Sequence, residues 1–388
     1  MTDRILTINA GSSSLKFALF ELNGRGPVLQ VKGQVETLDT APHCILKSST
    51  GEVIENKMLP KHATDEHVEA LLHVVDVLKA HVPGINILGV GHRVVHGGPN
   101  YSAPLILTED IIADLEEYVP LAPLHQPHNL AGIAAAHVAF PEATQIACFD
   151  TAFHRAHPWV NDTFALPRHY YEKGVRRYGF HGLSYEYVSS KLRQIAPDAA
   201  SGRVVIAHLG AGSSMCGVLN GRSIASTMGF SPLDGLPMGT RCGQLDPGVV
   251  LYLMDHEGLS SKEISDILYK HSGLKGLSGL SGDMRELEAA GTPEAEQAID
   301  YFVFRIRREL GGLAAALNGL DALVFSGGIG ENSARIRHRI CEDLHWIGLD
   351  LDDARNQSSD TRVSTLASRA QIFVIKTDEE AMIARHTI

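Results

Sequence analysis

Residues 5–20 read Ile5-Leu6-Thr7-Ile8-Asn9-Ala10-Gly11-Ser12-Ser13-Ser14-Leu15-Lys16-Phe17-Ala18-Leu19-Phe20: an apolar run, a turn of small residues, a second apolar run. Small residues in a tight strand-turn-strand let backbone N–H groups approach an anion closely, and the hydroxyls add donors. The tetrapeptide Ala10 to Ser13 occurs again at Ala211 to Ser214, after Val204-Val205-Ile206-Ala207-His208-Leu209 and about half a chain later. One unit used twice is expected, each offering a glycine/serine turn to the same ligand, with phosphate the natural guest. Gly and Ser are also ordinary turn residues. What favours phosphate is Lys16, close enough behind the first turn to bring an ammonium near it. The Walker A pattern is absent, and Leu15 to Phe20 reads as a strand, so the grip is a hairpin.

Outward from that hairpin, Ile5–Ile8, Leu15–Glu21 and Val28–Val35 read as a meander with Asn23-Gly24 as a hairpin turn. A helix follows over residues 65–81 with Thr64 as N-cap, then a buried strand at Ile85–Val90 ending at Gly91-His92-Arg93-Val94-Val95-His96-Gly97-Gly98. A helix is expected over Asn129–Phe140, and a short strand, Ala147–Phe149, ends on Asp150. From Arg203 the meander returns as Val204–Leu209, Met215–Leu219 and Arg222–Thr227, with Asn220-Gly221 matching Asn23-Gly24. Ser260 and Glu263 form a capping box, and Ala295–Asn318 is a long amphipathic helix. The strand Ala322–Phe325 leads to a glycine loop, Ser326–Gly330, before a helix opened by Glu331-Asn332-Ser333, an arrangement suited to nucleotide phosphate. A last strand, Ile372–Ile375, ends at Thr377-Asp378-Glu379-Glu380.

With 388 residues and 44% hydrophobic content, two domains are expected. A net charge of −11 argues against a coat for nucleic acid or an anionic membrane, so anion binding must be local. The five cysteines are scattered without a C-x-x-C pair, which fits a reducing cytosol rather than a disulfide framework. No apolar stretch reaches the roughly 18 residues of a membrane span. A soluble, cytoplasmic protein is expected.

Four polar clusters sit at strand ends or glycine turns: Gly91-His92-Arg93, Phe149-Asp150, Arg177 to Gly182, and Met238-Gly239-Thr240-Arg241. Carboxyl ends of strands are where ligands gather in open α/β sheets. Two arginines, a histidine and a carboxylate there make a plausible anion-transfer site. The 20 histidines invite a zinc reading, but His92 and His96 flank a strand-like pair and no H-E-x-x-H occurs. Mg²⁺ is the better match, since nucleotide phosphates bring it and Asn9, Asp150 and Glu379 offer oxygens.

The strings Asn9 to Lys16, Gly91 to Gly98, Ala122-Pro123-Leu124-His125, Phe149 to His154, Arg177 to Gly182, Pro237 to Arg241, Phe325 to Asn332 and Thr377 to Glu380 together resemble the acetate kinase family, in order and along nearly the whole chain. The resemblance implies the acetate and sugar kinase/Hsp70/actin fold. That is two ribonuclease-H-like domains, residues 1–150 with about 378–388 and residues 151–377, around a nucleotide cleft in a homodimer. It implies that Asn9 and Glu379 hold Mg²⁺ (or Mn²⁺), and that Ser12, Ser14 and Lys16 line the first phosphate turn. His208, Leu209, Gly210, Ala211 and Gly212, then Asp283, Met284 and Arg285, then Gly328, Ile329, Gly330, Glu331 and Asn332 are implied to bind ATP or ADP. Arg93 and Arg241 are implied to hold the carboxylate and the transferring phosphoryl group, Asp150 to be the catalytic acidic residue and His181 to stabilise the transition state. Val95, Leu124, Phe180 and Pro232 are implied around the substrate methyl, with His125 in the same pocket.

A carboxylate substrate is already ionised at neutral pH, as Asp is with its pKa of about 4, so no general base is required. The task is to neutralise equatorial oxygens while two anions meet, which suits arginines, a histidine donor and Mg²⁺. Asp150 is therefore expected to act through Mg²⁺ or by orienting a neighbour. Ala211 stands where the family usually has asparagine, which predicts weaker nucleotide affinity; Gly282 and Gln126 also depart from the family's usual polar residue and asparagine. Valine at 95 fits acetate better than propionate, although one methylene is worth only about 1–3 kcal/mol. Propionate or a broader set of short acids is the alternative. An actin/Hsp70-type ATP switch would leave Arg93, His181 and Arg241 without a purpose.

Overall fold

A computed structural model describes residues 2–11, 14–38, 41–59, 66–82 and 84–388. The chain divides into two compact units, Met1–Phe153 with Asp378–Ile388, and His154–Thr377. In the first, an antiparallel meander of β1 (Thr2–Ala10), β2 (Ser14–Asn23), β3 (Gly26–Glu36), β4 (His43–Ser48) and β5 (Val53–Met58) is followed by β6 (Ile85–Val94), β7 (Leu105–Ile106) and β8 (Thr144–Phe149). The strand order is β5-β4-β3-β2-β1-β6-β8-β7. β6 runs parallel to β1, and β8 parallel to β6.

Both faces of this sheet are apolar, which decides how it is covered. Leu6, Ile8, Phe17 and Leu19 pack on one side against Leu71, Val74 and Leu78 of the helix Glu66–His81. Ile5, Ala18 and Phe20 point the other way and meet Ala384. A sheet buried on both faces needs a cover on each, and the last helix, Glu379–His386, supplies the second. It lies so close that a Cβ at Gly91 would come within 2.2 Å of Thr387 Oγ1. This packing brings Glu379 to the first unit.

The second unit carries β9 (Arg203–Leu209), β10 (Ser213–Leu219), β11 (Arg222–Ser226), β12 (Ala322–Ser326) and β13 (Gln371–Val374) in the order β11-β10-β9-β12-β13. Val205, Ala207 and Leu209 bury against Phe302, Ile306 and Leu310 of the helix Pro293–Ala316. Each unit thus reverses a three-stranded meander and adds two parallel strands at its first strand. The fold is mixed α/β, built on two sheets of like plan.

Several local expectations change. β4 and β5 extend the first meander beyond its three expected strands. β6 continues to Val94, so His92 and Arg93 lie inside it. The helix Gln126–Ala139 starts three residues early, with a proline in its first turn. The long helix begins at Pro293 because Thr292 caps it through Ala295 N. Gly327–Gly330 form the opening of a short helix, Gly327–Asn332, rather than a loop. The candidate cap Thr64 lies outside the described residues.

The hairpins also differ in step. Asn23 pairs with Gly26, so the first two-residue turn is Gly24-Arg25, whereas Asn220-Gly221 does form the second, with φ of 48° and 77°. The repeated tetrapeptides are likewise not equivalent. Ala10 is the last residue of β1, but the strand that should correspond, β9, ends at Leu209, leaving Ala211 inside the turn and Ser213 and Ser214 buried in β10. The duplication is carried by the strands; the tetrapeptides are two residues out of step.

Each unit buries a neutral histidine. His92 bonds Gln145 Oε1 at 2.7 Å, and His154 bonds Phe180 O at 2.9 Å and Ser223 Oγ at 2.8 Å. Burial pushes both imidazoles down to about 4. The unfolded chain protonates near pH 6.5 and the native state does not, so this stability is present above pH 6.5 and is lost as pH falls to 4, by on the order of 3 kcal/mol per histidine. Urea midpoints should decline across that window, and His92→Gln should reduce the decline; a flat profile would contradict the assignment.

Candidate functional site

In the first unit the carboxyl ends of β1, β6 and β8 place four polar side chains together. Arg93 Nε donates to Asp150 Oδ1 at 3.1 Å and Nη2 to Oδ2 at 2.5 Å, while Nη1 donates to Asn9 Oδ1 at 3.2 Å. Glu379 Oε2 stands 3.8 Å from Arg93 Nε. The fork geometry of the Arg93–Asp150 pair fixes the plane of the guanidinium. Burial works against the charge on Arg93, but Asp150 and Glu379 outweigh it and raise its pKa above the ordinary arginine value. Burial also pushes the Glu379 carboxyl up to about 7; Asp150 and Glu380 add to the rise, and Arg93 and Lys16 oppose it. The cluster therefore carries more negative charge than its arginine balances. Lys16 is exposed and pairs across the ladder with Asn9, and Ser14 opens β2 with its carbonyl accepting from Gly11 N at 2.8 Å. Ser12 lies outside the described residues. Val95 is buried just past β6, Leu124 is exposed, and His125 precedes the helix Gln126–Ala139.

In the second unit His181 and Arg241 converge on the turn between β9 and β10. A Cβ on Gly212 would lie 2.7 Å from Arg241 Nη2 and 3.3 Å from His181 Nε2, so this turn must be glycine for both to approach it. His181 has φ of 58° at the start of the helix Gly182–Ile195, and its Nδ1 bonds Ser214 Oγ at 2.8 Å. His208 stacks on His181 with centroids 4.3 Å apart and is bonded through Nδ1 to Ser184 Oγ. With Nδ1 engaged, Nε2 of His181 is the atom turned toward Gly212. Arg241 is anchored by Nη1 donating to Pro232 O at 2.7 Å. Pro232 and Phe180 are buried, and Phe180 O accepts from His154.

A cavity of about 880 Å³ opens beside the same turn. Gly210, Ala211, Asp283, Met284, Arg285, Gly328, Ile329 and Asn332 line it. His208, Leu209, Gly212, Gly330 and Glu331 do not. Glu331 instead holds the backbone, its Oε1 accepting from Gly327 N at 2.9 Å and Thr377 N at 3.0 Å. Asp283 caps the helix Met284–Ala290, and hydrogen bonding to Arg285 keeps its carboxyl down at about 2. Glu288 and Ser333 also line the cavity and are joined at 2.9 Å. Sequence reasoning missed both, although Glu288 falls four residues after Met284 on the same helix and Ser333 is an N-cap. At Gly282 a Cβ would sit 2.6 Å from Gly239 O, so two loops cross there without room for a side chain. A final omission is Asn129, which bonds both Ala10 O and Val95 N.

The acetokinase family model matches residues 4–385. The chain belongs to the acetokinase family. It is 55% identical over 395 residues to the acetate kinase of Methylocella silvestris, covering 100% of this chain and 98% of the relative, and 52% identical to that of Nitrobacter hamburgensis, covering 100% and 96%. Among solved structures, Porphyromonas gingivalis acetate kinase superposes with a TM-score of 0.89 at 38% identity, covering 99% of this chain and 98% of that one. A propionate kinase from Francisella tularensis gives 0.91, also at 38% identity, covering 99% of each. Both solved structures confirm the two-sheet α/β architecture.

In this member of the family the cavity turn carries Ala211, which contributes its carbonyl to Gly239 N at 3.1 Å and no side-chain donor. Restoring an amide with Ala211→Asn is expected to lower KM for ATP by about 3- to 10-fold, the worth of one hydrogen bond. An unchanged KM in steady-state kinetics would show that the backbone alone sets affinity there.

Proposed function

We propose that this protein catalyses reversible transfer of the ATP γ-phosphoryl group to acetate, giving acetyl phosphate and ADP. The observation that carries this reading is the Arg93 guanidinium, held in one plane by both oxygens of Asp150 at the strand ends of an acetokinase-family chain. A planar fork of donors recognises a carboxylate or a phosphoryl group. The acid arrives ionised and needs no base, so Asp150, already engaged with Arg93, orients that arginine instead of taking a proton. His181 Nε2 and Arg241 would donate to the equatorial oxygens of the transferring group, where charge accumulates during in-line transfer. The cavity beside the turn Gly210–Gly212 would take ADP or ATP.

Asn9, Asp150 and Glu379 suit Mg²⁺. All three offer oxygen, and the Asp150 and Glu380 carboxylates beside the buried Glu379 set negative charges together that a cation relieves. Among the described residues no set of three His, Cys, Asp or Glu side chains converges on one point. That donor set matches an ion that keeps several waters and takes few protein ligands beside phosphate. When bound, Mg²⁺ neutralises phosphate oxygens.

A homodimer is supported by the helix Pro247–Asp255, which buries no residue and exposes Leu251, Tyr252 and Met254. A cytoplasmic setting is supported by five scattered cysteines with no C-x-x-C spacing. Among the described residues no helix is long and apolar enough to cross a membrane. Propionate is the second reading, favoured by the close match to a propionate kinase, while Val95 favours acetate.

Hydroxylamine trapping of acyl phosphate with ATP and a series of acids tests the activity directly: acetate should give the most hydroxamate, propionate less, butyrate little. No hydroxamate from any acid would refute the proposal. Asp150→Asn should lower kcat/KM by about 10²- to 10³-fold, as removal of an electrostatic partner does, without removing a limb from the pH–rate profile. Loss of a limb would make Asp150 a proton acceptor after all.

A further inference from the structure

The parallel ladder between β1 and β6 runs as far as Ile8 and His92. Beyond it, Asn9 and Ala10 of β1 no longer pair with Arg93 and Val94 of β6, and Val95 lies outside β6 altogether. The Asn129 side chain joins the two main chains across the opening. Asn129 Nδ2 donates to Ala10 O at 2.8 Å, and its Oδ1 accepts from Val95 N at 2.9 Å. Asn129, Ala10 and Val95 are all buried. The side-chain amide stands where a backbone amide would stand if a further strand residue were inserted.

The helix that carries Asn129 is itself fixed against these strand ends. At Gly132, one turn on, a Cβ would lie 2.8 Å from Ala10 Cβ, and Gln126 Nε2 donates to His96 O at 3.1 Å. Only an amide serves both partners, because the site needs a donor and an acceptor on one short side chain. Aspartate would keep the acceptor for Val95 N and set an oxygen against the Ala10 carbonyl.

We infer that Asn129 is a positioning residue for acyl-chain selection: by pinning the Val95 backbone it sets how far the valine side chain stands into the space for the substrate alkyl group. The inference rests on the proposed function, in which Val95 favours acetate by bounding the space for the substrate alkyl group. A pocket of this kind separates acids differing by one methylene by about 10- to 200-fold at most. Contact energies fall steeply with small radial gaps, so a loosened Val95 backbone erodes that ratio.

The test compares kcat/KM for acetate and propionate, by hydroxamate formation with MgATP, in the full chain and in Asn129→Ala and Asn129→Asp. Asn129→Ala should reduce the acetate preference by at least about threefold, through a loss on acetate that propionate does not share. Asn129→Asp should keep the ratio within about twofold of the parent, because the Val95 bond survives, while its urea midpoint falls with loss of the Ala10 bond. If Asn129→Ala does not fold, Asn129→Ser, whose hydroxyl is too short to span both partners, takes its place. Parallel losses on both acids with an unchanged ratio would make Asn129 a structural support and overturn the inference. An equal fall of the ratio in Asn129→Asp would assign the effect to Ala10 and overturn it too. A parent enzyme giving no hydroxamate from either acid would refute the functional reading itself, a result distinct from both.

Discussion

Where β1 and β6 stop pairing, past Ile8 and His92, the first unit releases backbone and side-chain polar groups that must be satisfied without a neighbouring strand. Its solution is a set of side chains that bridge the opening: Asn129 between the two main chains, Arg93 reaching Asn9, and Asp150 holding Arg93 in plane. The geometry of the cluster follows from this divergence. With ladder bonds continued, Arg93 would have less reason to face Asn9, and no crevice would exist at the carboxyl ends of the strands.

The second unit meets a different constraint with steric means. Its hairpin turn is kept bare at Gly212 so that an arginine and a histidine from separate segments can close on it. His181 is held by Ser214 and by stacking on His208, which fixes the ring with Nε2 toward Gly212. The adjoining cavity is bounded by loops that cross at Gly239 and Gly282 with no side chain between them. Charge is concentrated in the first unit and space in the second.

Much of this was legible in the sequence because its motifs are local. Strand, glycine turn and polar residue occur together in Asn9 to Lys16 and Gly91 to Gly98, so those strand ends and their chemistry could be located from the order of residues. What escaped depends on distances that no window contains. Asn129 looks like one more polar residue at a helix start, and its two partners are 119 and 34 residues away. Glu288 and Ser333 became cavity residues only once two helices were brought together. The tetrapeptide repeat misled in the opposite sense: identical letters fell at different points of two turns, because β1 ends on Ala10 itself whereas β9 ends at Leu209, two residues before Ala211.

The helix Glu379–His386 has a consequence for biosynthesis. One face of the first sheet, with Ile5, Ala18 and Phe20, packs against a segment translated after the whole of His154–Thr377. On the ribosome the first unit therefore waits, with an apolar face and the glycine-smoothed strand β6 exposed, while the second unit, continuous in sequence, has everything it needs to fold. The carboxylate of Glu379 is added in the same final step. Completion of the first core and arrival of its last acidic side chain are one event, so the chain acquires its charged cluster only when that sheet is sealed.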